Sequence, residues 1–448
     1  MDSVSSQLPT TSRPAHGAQQ LARHWGEALG AVLAGLLAMA VVAALGLWAA
    51  GAADLPGGFA GVVAAVVVMA AGGQIDLSGD AGALAGTNAD LTAMPLTVTL
   101  VGALVTGICF LLPLRHHAVA GTRDLLARVG RTVVLWLAAL ACVSAVAQHD
   151  FPVSIGGGES QDTMSDLFGE LLDAADPTVG FRTDIGATLG FGLLWILGVL
   201  LIALLVSRSP LPPRLVRYQE AVRPAAHSML LLVLAYVVVG LVIGIVVATT
   251  RGHAAETWAV ILLGLPNVSW LALGVGIGGS WEGTVDGPFG LPMPPILDAV
   301  LRTDTAGLST VDLSSLTSYD SRAWWLLPVA AVLVLAVSFL AAVRSPARTR
   351  LWQHALRMGI AFGLTMLVIA PVTLVEARFG LSILGIGELE SLGGQVVLRP
   401  HVWLTAGLAL LWGLVAGFLG GLLASPVHRR GEVETRETAT GKVDPRRR

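Results

Sequence analysis

The chain has 448 residues, of which 54% are hydrophobic and only 13% are charged. Soluble globular proteins carry about 25% charged residues, so this chain cannot cover itself with a polar surface. The composition excludes an ordinary soluble enzyme, a disordered chain and a nucleic-acid-binding protein with basic patches. It predicts an integral membrane protein whose first partner is the lipid bilayer.

Apolar segments divide the chain into membrane spans. A helix needs about 20 apolar residues to cross about 30 Å of hydrocarbon. Two further apolar segments, 57–73 and 257–279, are ambiguous, because the first is short and bounded by glycine and the second contains Pro266-Asn267. The sequence therefore predicts an all-α bundle of about eight transmembrane helices plus two re-entrant or broken helices. The eight predicted spans are residues 29–51, 94–114, 132–148, 185–206, 225–249, 324–343, 358–375 and 402–424.

The net charge of −3 conceals an uneven distribution of charges along the chain. With a cytoplasmic N-terminus and two re-entrant segments, 21 of the 27 Lys and Arg residues fall inside and 22 of the 30 Asp and Glu residues fall outside. Two full crossings would instead move eight arginines outside, against the positive-inside rule. We therefore expect a plasma-membrane protein with both termini in the cytoplasm. A signal peptide ending near Ala50-Gly51-Ala52 is disfavoured, since its apolar run exceeds about 7 to 15 residues.

The order of these segments is duplicated. Residues 72–80, GGQIDLSGD, align with residues 278–286, GGSWEGTVD, at a constant offset of 206. Both copies start in the cytoplasm, which predicts parallel repeats related by an axis along the membrane normal. The predicted units are a disordered N-terminus 1–25, a first membrane repeat 26–206, an Arg-rich cytoplasmic linker 207–224, a second membrane repeat 225–425 and a disordered tail 426–448.

Residues 264–276, GLPNVSWLALGVG, followed by Trp281-Glu282-Gly283, resemble the streptophobe family of actinobacterial multi-pass membrane proteins. They resemble more distantly another actinobacterial membrane family with a Leu-Pro-Asn motif in the same place. The resemblance extends over nearly the whole chain, and its distinctive part is Leu-Pro-Asn. It implies a multi-pass fold in the cell membrane, and it brings no activity, cofactor or site residue.

Pro266, Asn267 and Ser269 form the first candidate site. Proline removes a backbone donor, and an asparagine side chain can satisfy freed backbone groups, so the pair is expected to break the helix near mid-depth. One hypothesis is that the polar groups at this break contact a permeating solute or ion. The alternative is a kink whose backbone groups are satisfied by neighbouring helices.

Four carboxylates form the second candidate site, at the mouth of the predicted pathway. Asp76, Asp80, Glu282 and Asp286 each follow a Gly-Gly pair at the exit of a re-entrant segment. Clustered carboxylates concentrate cations. The alternative is a solvated outer loop, since acidic residues are common on surfaces.

No sequence motif predicts catalysis or cofactor binding. The chain lacks a nucleophile elbow, a P-loop, a zinc-protease motif and a dinucleotide fingerprint, and its two cysteines and ten histidines show no zinc-site spacing. We therefore expect no enzyme activity, cofactor or metal. The functional hypothesis is a channel-like or permease-like pathway between the two repeats.

Two alternatives stay open beside that pathway. The first is a non-transporting scaffold of the cell envelope that binds partner proteins, and pairs such as Gly240 and Gly244 would allow a homo-oligomer. The second is a membrane enzyme that uses an outer acid such as Asp76. This is the weakest hypothesis, because no nucleophile or base lies near that residue in sequence.

Overall fold

The chain folds into a bundle of apolar helices. The computed structural model describes residues 14–54, 58–80, 85–116, 122–152, 178–207, 213–250, 252, 254–286, 309–346, 349–383 and 394–426. Eight of the described helices are long and apolar enough to cross a membrane. The predicted fold class, an all-α multi-pass bundle of about eight such helices, is confirmed. The helices are α1 (Pro14–Ala49), α2 (Phe59–Ala70), α3 (Leu96–Leu111), α4 (Thr122–Val146), α5 (Ile185–Val206), α6 (Pro213–Thr250), α7 (Ala254–Gly276), α8 (Leu313–Tyr319), α9 (Leu326–Arg344), α10 (Leu351–Val372) and α11 (Val402–Leu423).

Apolar helices occupy all ten predicted membrane segments, but two of them differ from expectation. The predicted span 94–114 is α3, with only 16 residues, because a 3₁₀ turn at Pro113–His116 follows it. At 1.5 Å per residue α3 is about 24 Å long, which is less than the hydrocarbon thickness. The segment 257–279, predicted to be broken, is α7, one helix of 23 residues. Eight helices are therefore long enough to cross, as predicted, but by length α7 is one of them and α3 is not.

The first end of α7 lies on the side of the bundle where α3 begins. Thr97, in the first turn of α3, donates from Oγ1 to the carbonyl of Ile261 at 2.9 Å. Leu263 lies against Gly46, near the end of α1. Since α3 is entered from a β-strand, this end of α7 is close to the sheet described below.

The second end of α7 returns to that same side. Trp412 donates from Nε1 to the carbonyl of Ile277 at 3.0 Å. Three residues later, the carbonyl of Ser280 accepts from the backbone N–H of His401, where α11 begins, at 3.0 Å. Trp412 is about 16 Å along α11 from His401, so Ile277 contacts α11 at a greater depth than Ser280 does. These contacts agree with the re-entrant interpretation of this segment.

Connecting segments on this side form one eight-stranded antiparallel sheet, which the sequence analysis did not predict. The strand order is β3-β4-β1-β2-β7-β8-β5-β6. Because all four segments predicted outside contribute strands, they lie on one side of the bundle. The strands are β1 (Ile75–Asp80), β2 (Ala85–Ala93), β3 (His149–Pro152), β4 (Thr178–Thr183), β5 (Trp281–Asp286), β6 (Ser309–Val311), β7 (Val375–Ile383) and β8 (Gly394–Pro400).

One face of the sheet is apolar. Trp281, Val311 and Leu398 are buried there in a cluster beneath the second half of the sheet. Alternate residues of a strand point to opposite faces, so the residues between them belong to the other face. The sheet thus separates an apolar layer next to the helices from a polar face.

The two halves of the chain repeat the same local geometry. The first half contributes strands in the order β3-β4-β1-β2 and the second in the order β7-β8-β5-β6. Gly72 and Gly278 both have φ of +91°, where glycine avoids a Cβ clash. The next residue closes the helix end in each half, with Gly73 N bonded to Val68 O and Gly279 N to Gly274 O. The two Gly-Gly turns therefore have the same backbone conformation.

The predicted chain termini differ from the structure in one respect. α1 begins at Pro14, so residues 14–25, assigned to a disordered N-terminus, are helical. Arg23 and Glu27 form an i,i+4 ion pair at 3.1 Å in this part of α1, which adds a small local stabilisation. Likewise α6 begins at Pro213, inside the predicted linker. Residues 1–13 and 427–448 lie outside the described residues.

Candidate functional site

The predicted helix break at Pro266 is wrong. α7 continues through Pro266 and Asn267 without interruption. Proline removes one backbone donor and normally kinks or ends a helix. Here a neighbouring side chain satisfies the backbone next to it, and Pro266 itself is buried.

The side chain that forms these hydrogen bonds with the α7 backbone is Thr97 of α3. Its hydroxyl accepts from the Leu265 N–H at 3.1 Å and donates to the Ile261 carbonyl at 2.9 Å. In a regular α-helix these two backbone groups bond each other. The hydroxyl therefore bridges one turn of α7, immediately before Pro266. A side chain inserted into the helical ladder is a recognised cause of bending.

Asn267 uses both polar atoms of its amide on backbone groups of the first half. Its Nδ2 donates to the Met94 carbonyl at 3.0 Å, and its Oδ1 accepts from the Leu96 N–H at 3.2 Å. Leu96 begins α3, so its N–H has no intrahelical acceptor. Asn267 therefore caps α3 from the other half of the chain.

Ser269 lies one turn from Pro266 on the side facing α6. It is 5% exposed and lies against Gly240. Its hydroxyl has no hydrogen-bond partner among the described residues. Of the three residues predicted at the constriction, Ser269 alone is buried with an unused side-chain polar atom in this part of the chain.

Apolar contacts extend the junction between the halves. Leu96, from the first half, is 1% exposed and belongs to the core of the second half. Leu263, from the second half, packs against the core of the first. We call this contact of α7 with α1 and α3 the inter-half seam. Its polar groups at Thr97 and Asn267 are saturated by protein.

The four predicted mouth acids lie in strands of one sheet. Asp76 and Asp80 lie in β1, and Glu282 and Asp286 lie in β5. The register runs through one row of directly opposed positions, from Arg182 through Asp76, Asp90, Arg378 and Gln395 to Asp286. Opposed positions share a face, so the sheet places all four acids on one face. The side chains of Asp76, Asp80 and Asp286 lie outside the described residues.

This face carries every charged residue of the eight strands. Register and strand alternation place seven acids and three arginines on it. We call it the charged face. Its charged residues are Asp76, Asp80, Asp90, Asp150, Glu282, Asp286, Glu376, Arg182, Arg378 and Arg399.

Acids and arginines are neighbours on the charged face. Arg182 is opposite Asp76 in the first half, and Arg399 is opposite Glu282 in the second. Arg399 also binds Glu376 at 2.9 Å. The Glu282 carboxylate lies 3.0 Å from His401 Nε2, where the side chains are 42% and 41% exposed. Both acids whose side chains are described, Glu282 and Glu376, therefore lie beside basic groups.

One buried ion pair was missed by the sequence analysis, which placed Arg128 in an inner loop. α4 begins at Thr122, so Arg128 is helical, and it is 9% exposed. Its guanidinium contacts Glu27 at 3.2 Å and lies 5.2 Å from the centre of the Phe110 ring. This ion pair joins α4 to α1 at the end of the bundle opposite the sheet. No spacing in the sequence links residues 101 positions apart.

The described residues hold no group of three or more His, Cys, Asp or Glu side chains placed to bind a metal ion. Cys109 and Cys142 are free thiols. Comparisons with protein-family models, with curated proteins and with solved structures find no match to this chain. The functional argument therefore depends on the geometry of the chain itself.

Proposed function

We propose that the protein is a non-transporting membrane scaffold, in which the helix bundle holds the sheet at the membrane surface as a platform for partner proteins. The observation that carries this proposal is the charged face. All ten charged strand residues lie on one face of a sheet shared by both halves. A surface that carries both acids and arginines suits specific protein contacts, because complementary charges set partner choice and orientation.

The inter-half seam supports the same proposal. A solute pathway at this seam requires polar groups free to bind the solute, and those of Thr97 and Asn267 bond protein backbone instead. The seam therefore serves to join the halves beneath their common sheet. This is the arrangement expected of a support for the platform.

The proposal also includes the orientation of the protein in the membrane and its family. The positive-inside distribution supports an orientation in the plasma membrane with the sheet outside the cell and both termini in the cytoplasm. The Leu-Pro-Asn region is the basis for proposing membership of the streptophobe family. In this proposal the platform faces the cell envelope, where its partners would be envelope proteins.

Site-specific photo-crosslinking in cells tests the scaffold. A photo-crosslinking amino acid at Thr310, exposed on the charged face, is expected to give discrete protein adducts. The matched control is Leu194, which is 69% exposed on α5 and is expected to face lipid. Absence of protein adducts at Thr310 and at Arg399, with a stable and inserted protein, would overturn the proposal.

A solute pathway is the second candidate, and Ser269 is the observation that favours it. Its buried hydroxyl has no partner among the described residues, and such groups are usually satisfied by water or by a ligand. The test is passive flux of monovalent ions and small neutral solutes into proteoliposomes. Flux that is present in the wild type and lost in Ser269→Ala, with unchanged folding, supports the pathway. Flux equal to that of protein-free liposomes excludes it.

A further inference from the structure

Among the described strands, the sheet ends at β3 on one side and at β6 on the other, and these two strands correspond to the two strands that join its halves. β2 of the first half pairs with β7 of the second. By register, β2 of the first half is equivalent to β6 of the second half. In the same way, β3 of the first half is equivalent to β7 of the second half. β3 and β6 are also the two ends of the described sheet. Each edge therefore matches the other.

The internal junction predicts the register in which these edges would pair. In the second half Val311 is opposite Trp281, and the equivalent pair in the first half is Leu91 opposite Ile75. In the first half His149 is opposite Phe181, and the equivalent pair in the second half is Val375 opposite Leu398. These equivalences place Thr310 at the position of Asp90 and Pro152 at the position of Arg378. Since Asp90 is opposite Arg378 in the internal junction, Thr310 would be opposite Pro152.

The described helices pack across this junction in one direction only. α7 packs against α1 and α3 of the first half. The reverse packing, of α2 against α6 or α9, is not found to a comparable extent in the described helices. Near the end of α6, Val246 is 54% exposed, whereas Gly46, near the end of α1, is covered by Leu263. The surface that the first half offers to the second is thus repeated, uncovered, on the second half.

We propose that a second copy of this chain pairs with these edges, with β6 of one copy antiparallel to β3 of the other. A heterologous junction that does not close within one chain can close by rotation between copies. Free strand edges carry unpaired backbone groups, which another strand satisfies. The inference rests on the proposed scaffold function and names a second copy as the partner at its edges, while the charged face stays available to other proteins.

Disulfide trapping tests the pairing and its register. The background chain carries Cys109→Ala and Cys142→Ala, because these are its two native cysteines. One tagged copy carries Thr310→Cys and a differently tagged copy carries Pro152→Cys. Directly opposed Cα atoms in antiparallel strands are about 4.5 to 5.5 Å apart, a spacing that a disulfide spans. Co-expression is expected to give a dimer carrying both tags.

Three matched variants control this assay. Asp90→Cys with Arg378→Cys in one chain is the positive control, since these positions are already opposed, and it should crosslink within the monomer. Thr310→Cys with Phe151→Cys shifts the register by one residue, which moves one cysteine to the other face, and should lose the dimer. Either single variant alone should lose the mixed dimer.

Any one of three outcomes would overturn the proposal that a second copy pairs with these edges. Thr310→Cys and Pro152→Cys in one chain could crosslink only within the monomer, which would show that the sheet closes on itself. The mixed copies could give no dimer while the Asp90 and Arg378 control succeeds. The unmodified protein in nanodiscs could have monomeric mass by native mass spectrometry. None of these results affects adducts at Thr310 with other proteins, so failure of the dimer is distinguishable from failure of the scaffold.

Discussion

Asn267 caps the backbone of Leu96 from the opposite half of the chain, across 171 residues of sequence. The same amide donates to the Met94 carbonyl. A polar side chain in an apolar helix is therefore committed to two backbone groups, which explains how the chain tolerates it beside Pro266. The Leu-Pro-Asn motif joins the two halves.

Asn267→Leu is expected to destabilise the protein without a local clash. The change leaves the Leu96 N–H and the Met94 carbonyl without their partner, at about 1 to 3 kcal/mol for each buried group. The measurement is thermal unfolding in detergent. Val268→Leu, a neighbour that is 37% exposed, is the control and should leave stability unchanged. Equal stability of both variants would contradict the capping role.

Thr97→Val should also destabilise the seam, because it keeps the shape of the side chain and removes its hydroxyl. The Leu265 N–H and Ile261 carbonyl would lose their bridge, at a cost of about 1 to 3 kcal/mol. Thr97→Ser keeps the hydroxyl and should retain most of the stability. A serine variant as unstable as the valine variant would show that the methyl group, not the hydroxyl, matters.

Gly46→Val is expected to separate α1 from α7. A Cβ at Gly46 would come within 2.7 Å of the Leu263 side chain, and overpacking costs about 1 to 3 kcal/mol. Gly30→Val is the matched control on the same helix, since nothing lies within 4 Å of a Cβ there. Urea unfolding in micelles should show a lower midpoint for Gly46→Val only. Equal midpoints for the two variants would exclude tight packing at Gly46.

The Glu27 and Arg128 pair should behave as a coupled unit. Glu27→Leu leaves a buried guanidinium without its carboxylate, at about 3 to 5 kcal/mol. Adding Arg128→Met removes the orphaned charge, and the double variant is expected to be more stable than Glu27→Leu alone. A double-variant cycle by thermal unfolding measures the coupling. Additive losses would contradict a buried pair.

Asp312 gives a pH-dependent contribution through the N-cap of α8. Burial raises the pKa of Asp312, but hydrogen bonds from Ser315 and Ser314 lower it more, so the pKa lies below its ordinary 3.8. A lowered pKa means that the stabilisation is complete above about pH 3.8 and is lost as the pH falls through the folded-state pKa. Asp312→Ala should cost about 1 kcal/mol at neutral pH.

The test of this capping effect compares unfolding temperatures at pH 7 and in stronger acid. The difference between wild type and Asp312→Ala should shrink in acid. Asp312→Asn keeps an uncharged acceptor for the Ser315 N–H, so it should retain part of the stability without the pH dependence. A difference that is constant with pH would assign the effect to something other than the carboxylate.

The apolar helices could be predicted because each depends on a local run of residues. The segment 57–73 is short and Gly-bounded, and its helix has only 12 residues. Strand pairing is different, since Asp90 meets Arg378 across 288 positions. Short strands that contain glycine, such as Gly79 in β1, resemble loops when their partners are unknown.

In the candidate site, too, local sequence features could be predicted and contacts between distant residues could not. The acids of residues 72–80 and 278–286, related by the constant offset of 206, lie in β1 and β5, the first strand of each half. The surroundings of Pro266 were not predictable, because the hydroxyl that bridges the turn before it comes from Thr97, far away in sequence. A polar residue in an apolar run signals that a partner exists, but not which one.

The ladder between β2 and β7 has a mechanical consequence. Nine register pairs tie the halves together at the sheet, and parting them there would break a continuous set of backbone bonds. The described helices carry no comparable ladder at the opposite end. We therefore expect the two halves to move least relative to each other at the sheet. An alternating-access motion, which exposes a central site to each side in turn, would have to preserve or break this ladder.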